Sequence, residues 1–516
     1  MEVKKTRPIR TVAVMMAVTV LSKGMGVLRS MLMASHYGTG MAANAFSEAL
    51  HIPLTFFDLL FSAAIVGCFV PVYNSFHRDE EKKADEFACI FLNAILLLCG
   101  LLALLGIALA DPIIGLMAPG FDGETHALAV KLLRMLFPIV LFTAGTYTLV
   151  GLMQSKGRYF LPSMVSAVSN GFVILYFLLF DPGVSDQRGI YMLAAAYLAA
   201  WLLQFLTLVV PLRCGGFRFR FLLDFKNPAL RRALKMTPPI ILGSWLTPAG
   251  LLIGMGFAST VQDVRGAVTV FDYTNNVYTI IAGIVTYSIC NYVFPILSRE
   301  ACSDDTAQFI RTVQSGLRSA FMLVVPVLIG TLVLSGEGIS ILYQRNEFTA
   351  QDAAVTASAL RWMAWAMAAF ACVELLSRVC YACGAVRIPM TAALCGVAVN
   401  VICSALAVFV FHASVNGIAL ANAAGQLAAA TVMTVALSRR LPRLFDRELL
   451  RSLCRIVLCG LLSAIVMIGL HILIGRDPFA SGLLSNVMVT AVVFVSGTAV
   501  YLAAARLLRI PFREKV

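Results

Sequence analysis

Apolar residues run through this chain in long blocks, separated by short segments that hold most of the charge. Fourteen blocks are legible, at about 11–33, 42–73, 86–117, 128–152, 162–182, 189–213, 236–258, 266–297, 316–343, 353–383, 387–411, 414–438, 453–475 and 481–508. A helix of roughly 20 apolar residues crosses a hydrocarbon core, and only helices or closed barrels satisfy every backbone group there. The pattern predicts an all-α integral membrane protein with about fourteen transmembrane helices. The longest segment between blocks, around Arg213–Lys235, is too short to fold as a domain.

One block departs from uniform apolarity in a regular way. In span 2, Asn44, Glu48, His51, Thr55, Asp58 and Ser62 recur at intervals of three and four, which keeps them on one helical stripe. Pro53 lies beside the stripe and is expected to kink the helix. A polar stripe on an apolar helix lines water or forms a hydrogen-bonded seam with other helices; both readings stay open. Span 8 repeats it more weakly with Asp272, Asn276, Thr279 and Thr286. Span 1 carries Lys23 and Arg29 six residues apart, about 120° around an ideal helix. Gly24 and Gly26 between them make bending easy, so the two cations can converge on a polar cavity. Snorkelling to an interface is the other reading, stronger for Arg29 than for Lys23. Glu374 and Arg378, at i,i+4 in span 10, read as a structural ion pair more than as ligand contacts.

Composition agrees with a membrane chain: of 516 residues 60% are hydrophobic and 13% charged, against about 25% charged in soluble domains. The distribution of charge predicts orientation. With the N-terminus inside and the spans alternating, 30 of the 40 Lys and Arg fall on the cytoplasmic side, while Arg188, Arg265, Arg345 and Arg476 fall outside. This asymmetry places both termini in the cytoplasm, and the net charge of +13 reflects topology and contact with anionic membrane lipids rather than nucleic acid. A cleaved signal peptide is the competing reading of the basic N-terminus; Lys23 and Arg29 within the following stretch, and the lack of a small-residue cleavage site, argue against it. The thirteen cysteines are scattered, and the lone Cys380-x-x-Cys383 is a weak signal for a metal or a redox couple. No metal site is expected. Phosphate loop, metalloprotease motif and nucleophile–His–carboxylate set are all missing, so no enzyme is expected.

The two halves of the chain echo each other. Phe121, Ala127, Leu133 and Arg134 match Phe348, Ala354, Leu360 and Arg361 at an offset of 227, as Gly157 and Pro162 match Gly384 and Pro389. Gly189-Ile190 matches Gly417-Ile418 at 228, and Pro71 matches Pro295 at 224. The offset covers six spans, an even number, which predicts two six-helix lobes related by a pseudo-two-fold axis along the membrane normal, as in transporters. The expected organisation is an N-terminal lobe at 1–213, a basic cytoplasmic linker at 214–235, a C-terminal lobe at 236–440, and two further helices with a cytoplasmic tail at 441–516.

An ordered set of short motifs adds a resemblance: Lys23…Leu28-Arg29, Tyr37-Gly-Thr-Gly…Asn44-Ala-Phe46, Phe69-Val-Pro-Val-Tyr73, Ala118-Pro-Gly-Phe121, Leu132-Leu-Arg134…Phe137-Pro138, Gly157-Arg-Tyr-Phe-Leu-Pro162 and Leu342-Tyr…Phe348-Thr-Ala…Asp352. With these the chain resembles the MurJ (MviN) family of lipid II flippases, within the superfamily that includes MATE-type multidrug exporters. The resemblance implies two six-helix lobes around a cavity that opens alternately to either side, and two extra helices forming a hydrophobic groove. It implies as substrate undecaprenyl-pyrophosphate carrying the peptidoglycan disaccharide-pentapeptide. It implies movement from the cytoplasmic to the outer leaflet of the bacterial cytoplasmic membrane, driven by an ion gradient or the membrane potential. No cofactor is implied beyond a coupling H+ or Na+; cell-wall synthesis machinery is a further implied partner. The family's two basic positions in the first helix match Lys23 and Arg29. Its Asp-Ala-Phe carboxylate falls at Asn44, with Glu48 one turn later. Its arginine pair in the second helix falls at Phe57 and Asp58, the acidic residue soon after at Ser62, and the arginine of the eighth helix at Asn276. The cavity is therefore less basic than the family pattern.

The expected substrate contacts are Lys23, Arg29, Asn44, Glu48, His51, Asp58 and Asn276, with Gly24, Gly26 and Pro53 as hinges. Two other functions compete with flipping of lipid II: export of another polyprenyl-pyrophosphate glycan or of a small cation, which the acidic residues of span 2 suggest, and a non-transporting cell-wall scaffold.

Overall fold

The computed structural model describes residues 8–76, 80–180, 187–244, 246–301, 305–508 and 510, with side chains except at 8–17, 19, 55–66, 81, 187 and 238–248. Among the described residues the regular structure is helical throughout. In chain order the helices are α1 (Pro8–Tyr37), α2 (Met41–Asn74), α3 (Glu81–Ala108), α4 (Ala110–Met117), α5 (Gly123–Leu136), α6 (Ile139–Ser155), α7 (Phe160–Leu179), α8 (Gln187–Cys214) and α9 (Pro228–Ser244). They continue with α10 (Leu246–Ser259), α11 (Ala267–Glu300), α12 (Thr306–Tyr343), α13 (Ala350–Ala364), α14 (Ala366–Ala382), α15 (Arg387–Ala405), α16 (Val415–Arg440), α17 (Arg447–Ile474) and α18 (Leu483–Leu507). Ten helical segments among the described residues are long and apolar enough to cross a membrane, and the bent pair α13–α14 makes an eleventh. The other three expected spans correspond to α1, α2 and α9–α10, which run through residues whose side chains lie outside the description.

Three expected continuous spans are broken in the structure. Span 3 divides at Leu109 into α3 and α4, and span 4 divides at Phe137-Pro138 into α5 and α6. Pro138 has no N–H to donate, so the helical bond ladder is interrupted there although Phe137 keeps helical angles. The backbone stays satisfied through the break: Phe137 N–H donates to Leu133 O at 2.8 Å, and Leu141 N–H to Pro138 O at 3.1 Å. Span 10 breaks at Trp365, with 47° between α13 and α14.

The chain divides into two compact units, Met1–Leu252 and Ile253–Val516, the boundary falling within α10. In the first, α2 packs against α5, α6 and α9, and α1 against α7. Its core stacks Phe69 on Phe87, with centroids 5.6 Å apart, among Phe46, Ile114, Leu132 and Leu133. Residues 214–235 belong to this unit: Phe217 and Leu230 are in its core, and the Asn93 amide of α3 donates to Arg220 O and Leu222 O at 2.8 and 3.1 Å.

In the second unit Tyr273, Tyr343 and Phe348 cluster where α11, α12 and the loop before α13 meet. The helix α12 kinks at Leu334. The last two helices, α17 and α18, pack on each other and on α12, around Val325, Ile329, Ile456, Cys459, Met467 and Val493. The outward faces of α3 and α17 expose Leu101, Leu104, Ile472 and Leu473, as hydrocarbon-facing helices do.

The repeat seen as sequence landmarks is a repeat of backbone devices. Asp122 caps α5 by accepting from Thr125 N at 2.7 Å. Hydrogen bonds from Thr125, side chain then backbone, hold the Asp122 carboxyl below the usual carboxylate range. At the matching position Thr349 caps α13 in a capping box with Asp352. The helices α6 and α14 end alike. Gly157 and Gly384 have φ of 74° and 66°, and each is followed by the same six-residue closing bond, Arg158 N–H to Met153 O at 2.8 Å and Ala385 N–H to Cys380 O at 2.7 Å. The Cys380-x-x-Cys383 pair belongs to this turn, Cys380 buried and Cys383 exposed. Both halves use the third span's amide to hold the chain after the sixth: Gln314 of α12 donates to Arg443 O and Leu444 O at 3.1 and 3.0 Å, as Asn93 does in the first unit.

Within the second unit α15 and α16 cross closely through small residues. A Cβ built on Gly425 would lie 2.7 Å from Gly396 O and 2.9 Å from Asn400 Cβ. Small residues at such crossings let backbones pack tightly where hydrophobicity gives no drive for association. Gly425→Leu should force the helices apart and lower stability by about 1–3 kcal/mol, the usual cost of overpacking. The readout is the thermal unfolding midpoint of the purified protein in detergent, with Gly338→Leu, where no heavy atom lies within 4 Å of a built Cβ, as the control that should change little.

Candidate functional site

In the first unit the expected site residues lie on α1 and α2. The helix α1 continues through Gly24 and Gly26 without a break. Lys23 is exposed and Arg29 half-buried. The Asn170 amide of α7 reaches α1 at this level, donating to Ser22 O at 3.4 Å; a Cβ on Gly26 would meet that amide at 3.6 Å. The Arg29 guanidinium lies over the ring of Tyr197 in α8, 5.6 Å from its centroid. Tyr197 in turn stacks on Trp201 at 5.7 Å and meets Phe46 of α2 edge-on at 5.2 Å. An arginine seated on an aromatic face keeps its in-plane N–H fork free to take phosphate or carboxylate oxygens bidentately.

The α2 stripe divides by depth. Asn44 and His51 are half-buried and Pro53 is buried. Glu48 is completely buried, two residues beyond Phe46, so its carboxylate sits inside the packed protein. The side chain of Asp58, like those of Thr55 and Ser62, lies outside the described residues.

In the second unit Asp272 of α11 is buried and accepts a hydrogen bond from the Asn276 amide at 3.4 Å. Glu374 and Arg378 of α14 stand 3.7 Å apart, and the guanidinium also lies 5.8 Å from the centre of the Phe294 ring. Tyr278 and Tyr287 of α11 pack edge-on against Phe370 beside this pair. The ion pair thus sits in an aromatic surround built by α11 and α14, consistent with a role in holding those helices together. Among the described residues no group of three or more His, Cys, Asp or Glu is arranged to hold a metal.

Sequence reasoning missed three polar contacts. Asn170 is a single amide in an apolar span. Tyr197 reads as one aromatic among many until α8 lies beside α1. His471 of α17 and Glu337 of α12 stand 2.6 Å apart but are 134 residues apart in sequence, beyond the reach of any helical periodicity.

Comparison with known proteins agrees with this architecture. A probable lipid II flippase MurJ of Rhizobium tropici is 26% identical over 506 residues, covering 95% of this chain and 92% of the relative. One from Rickettsia prowazekii is 24% identical over 385 residues, covering 74% and 75%. Among solved structures, a lipid II flippase MurJ in an inward closed conformation superposes with a TM-score of 0.79 at 20% identity, covering 96% of this chain and 99% of that one. An inward-facing MATE-family multidrug transporter of the MOP superfamily superposes at 0.67, with 14% identity over 84% of this chain and 98% of that one. The family model described as lipid II flippase MurJ matches residues 33–488, and the chain belongs to that family.

Proposed function

We propose that this protein flips the lipid-linked peptidoglycan precursor, lipid II, from the cytoplasmic to the outer leaflet of the bacterial cytoplasmic membrane. The observation that carries the reading is the family match across residues 33–488, supported by a helical fold that follows a solved MurJ over nearly its whole length. The reading is transport without covalent chemistry: the substrate's pyrophosphate needs cationic contacts at membrane depth, where an uncompensated charge is costly. Arg29, seated on Tyr197, has the geometry for that contact, and Lys23 on the same helix adds a second positive charge. An ion gradient or the membrane potential supplies the driving force, with H+ or Na+ as the coupling ion. Alternating exposure of a cavity to the two sides is the mechanism that fits a protein built from a repeated unit.

Depleting the protein in its native bacterium tests the function: lipid II should accumulate on the inner leaflet, and an unchanged leaflet distribution would overturn the reading. Arg29→Ala should lower flipping at least tenfold with membrane insertion preserved, measured as lipid II accessible to an external probe; wild-type flipping by this variant would remove Arg29 from the site. Orientation is tested separately. A fluorescent protein fused after Val516 should fold and fluoresce in the cytoplasm, and alkaline phosphatase fused there should stay inactive. The opposite pair of results would reverse the topology inferred from the Lys and Arg asymmetry.

A further inference from the structure

The buried ionisable contact at the α12–α17 junction has no part in the reading above. Glu337 lies three residues after the α12 kink at Leu334. Its side chain is 3% exposed, whereas His471 on α17 is 29% exposed, and His471 Nε2 is 2.6 Å from Glu337 Oε1. The second carboxyl oxygen, Oε2, is buried with no hydrogen-bond partner.

Both helices are membrane spans by length and composition, which makes the proton count decisive. A Nε2–Oε1 contact this short contains a proton. If it is the only titratable proton held by the pair, borne by a neutral imidazole against an ionised Glu337, the junction carries a full negative charge with one oxygen unpaired. Burying such a charge costs several kcal/mol. With one proton more, the junction is neutral, either as imidazolium and carboxylate or as imidazole and carboxylic acid. The proton belongs to the pair and not to either residue.

Among the described residues, no cation other than His471 stands in salt-bridge contact with Glu337. From α13, Arg361 directs Nε to Ser335 Oγ at 3.0 Å, and Asp352 is engaged in the capping box with Thr349. On α12 itself, Arg345 turns back onto Leu342 O and Ile341 O, both at 2.7 Å. Between α17 and α18, Arg476 bonds Ser485 Oγ at 2.7 Å, and Asp477 bonds Phe479 N at 2.9 Å. From α11, Asp272 accepts from Asn276. From α14, Glu374 is near Arg378. The helix α18 contributes Asn486, whose amide donates to Ser340 Oγ at 2.9 Å and Pro478 O at 2.7 Å.

We propose that Glu337 and His471 form a proton-binding site that latches α17 onto α12: the pair holds one extra proton while the helices are closed and releases it when they part. Protonation stabilises the closed junction. A more alkaline medium opens it, because the closed pair holds a proton that the parted helices release. The sign follows from linkage, since the state that binds more protons is favoured at low pH and is lost as pH rises.

The experiment uses the full chain in lipid nanodiscs without substrate, so its outcome does not depend on whether lipid II is flipped. Spin labels replace exposed Trp362 on α13 and exposed Leu473 on α17, and the distance distribution is recorded from about pH 6 to 9, the window in which a free imidazole titrates. The expected result is a second, longer population whose ratio to the short one rises by up to about tenfold per pH unit, as release of one proton requires. Glu337→Gln keeps a neutral hydrogen-bond partner for His471 and should hold the short population across the range. A wild-type distribution that does not move with pH overturns the proposal, and so does a Glu337→Gln variant that opens with pH as the wild type does.

Discussion

Every backbone N–H and C=O that enters hydrocarbon must find its partner within the protein, and this one requirement shapes the chain. It explains why the described regular structure is helical, and it also governs how the helices are allowed to stop. The break at Phe137-Pro138 keeps its bonds through Phe137 N–H to Leu133 O and Leu141 N–H to Pro138 O. The end of α15 passes into a π-turn over Leu406–Val410, and the chain leaves it through Phe411 N–H to Leu406 O at 3.0 Å and Ala413 N–H to Ala407 O at 2.7 Å. The glycine turns after α6 and α14 do the same with a left-handed residue. Irregular backbone appears where it can be satisfied, and the glycine turns after α6 and α14 use the same solution in both halves.

The same cost acts on side chains and separates two kinds of polar residue. Asn93, Gln314, Ser463 and Tyr501 each donate to a backbone oxygen of another segment, and so tie helices and loops in place. Arg29 is different. Its guanidinium lies over the Tyr197 ring, and among the described residues no carboxylate stands in salt-bridge contact with it. Glu374 and Arg378 show the contrasting case, with both charges supplied by one helix.

These physical differences decide what the sequence could reveal. Run length alone located the spans, because bilayer thickness fixes how many apolar residues a crossing needs. The repeat was legible at Gly157 and Gly384 because their left-handed backbone tolerates few residue types. The breaks inside spans 3, 4 and 10 were not read, since an apolar run looks the same whether or not the helix is interrupted. The site was legible only along single helices: periodicity drew attention to Asn44, Glu48 and His51 but could not say that Glu48 would be fully buried while its neighbours would not. Pairings between helices, such as Arg29 with Tyr197 or Glu337 with His471, carry no local signature.

Duplication leaves one asymmetry to explain, the pair α17–α18. Its docking face is the side of α12 that carries Val325 and Ile329. In the first unit the corresponding span, α3, leaves Leu98, Leu101 and Leu105 exposed. Covering such a face gains little in a bilayer, because lipid tails are as apolar as leucine. Close fit has to hold the added helices: a Cβ on Gly460 would fall 2.6 Å from Val325, and one on Gly330 would fall 2.7 Å from the Phe494 ring. Fit gives affinity without making it conditional. The contacts whose strength can vary with conditions are polar; apart from Tyr501 to Met322 O and Ser463 to Gly497 O, those named here lie at the Tyr343 end of α12, where Ser340, Gln344, Asn486, Glu337 and His471 connect it to α17, α18 and the turn between them. Of these, only the Glu337–His471 contact joins two ionisable side chains, so a response to proton concentration has to act at that end.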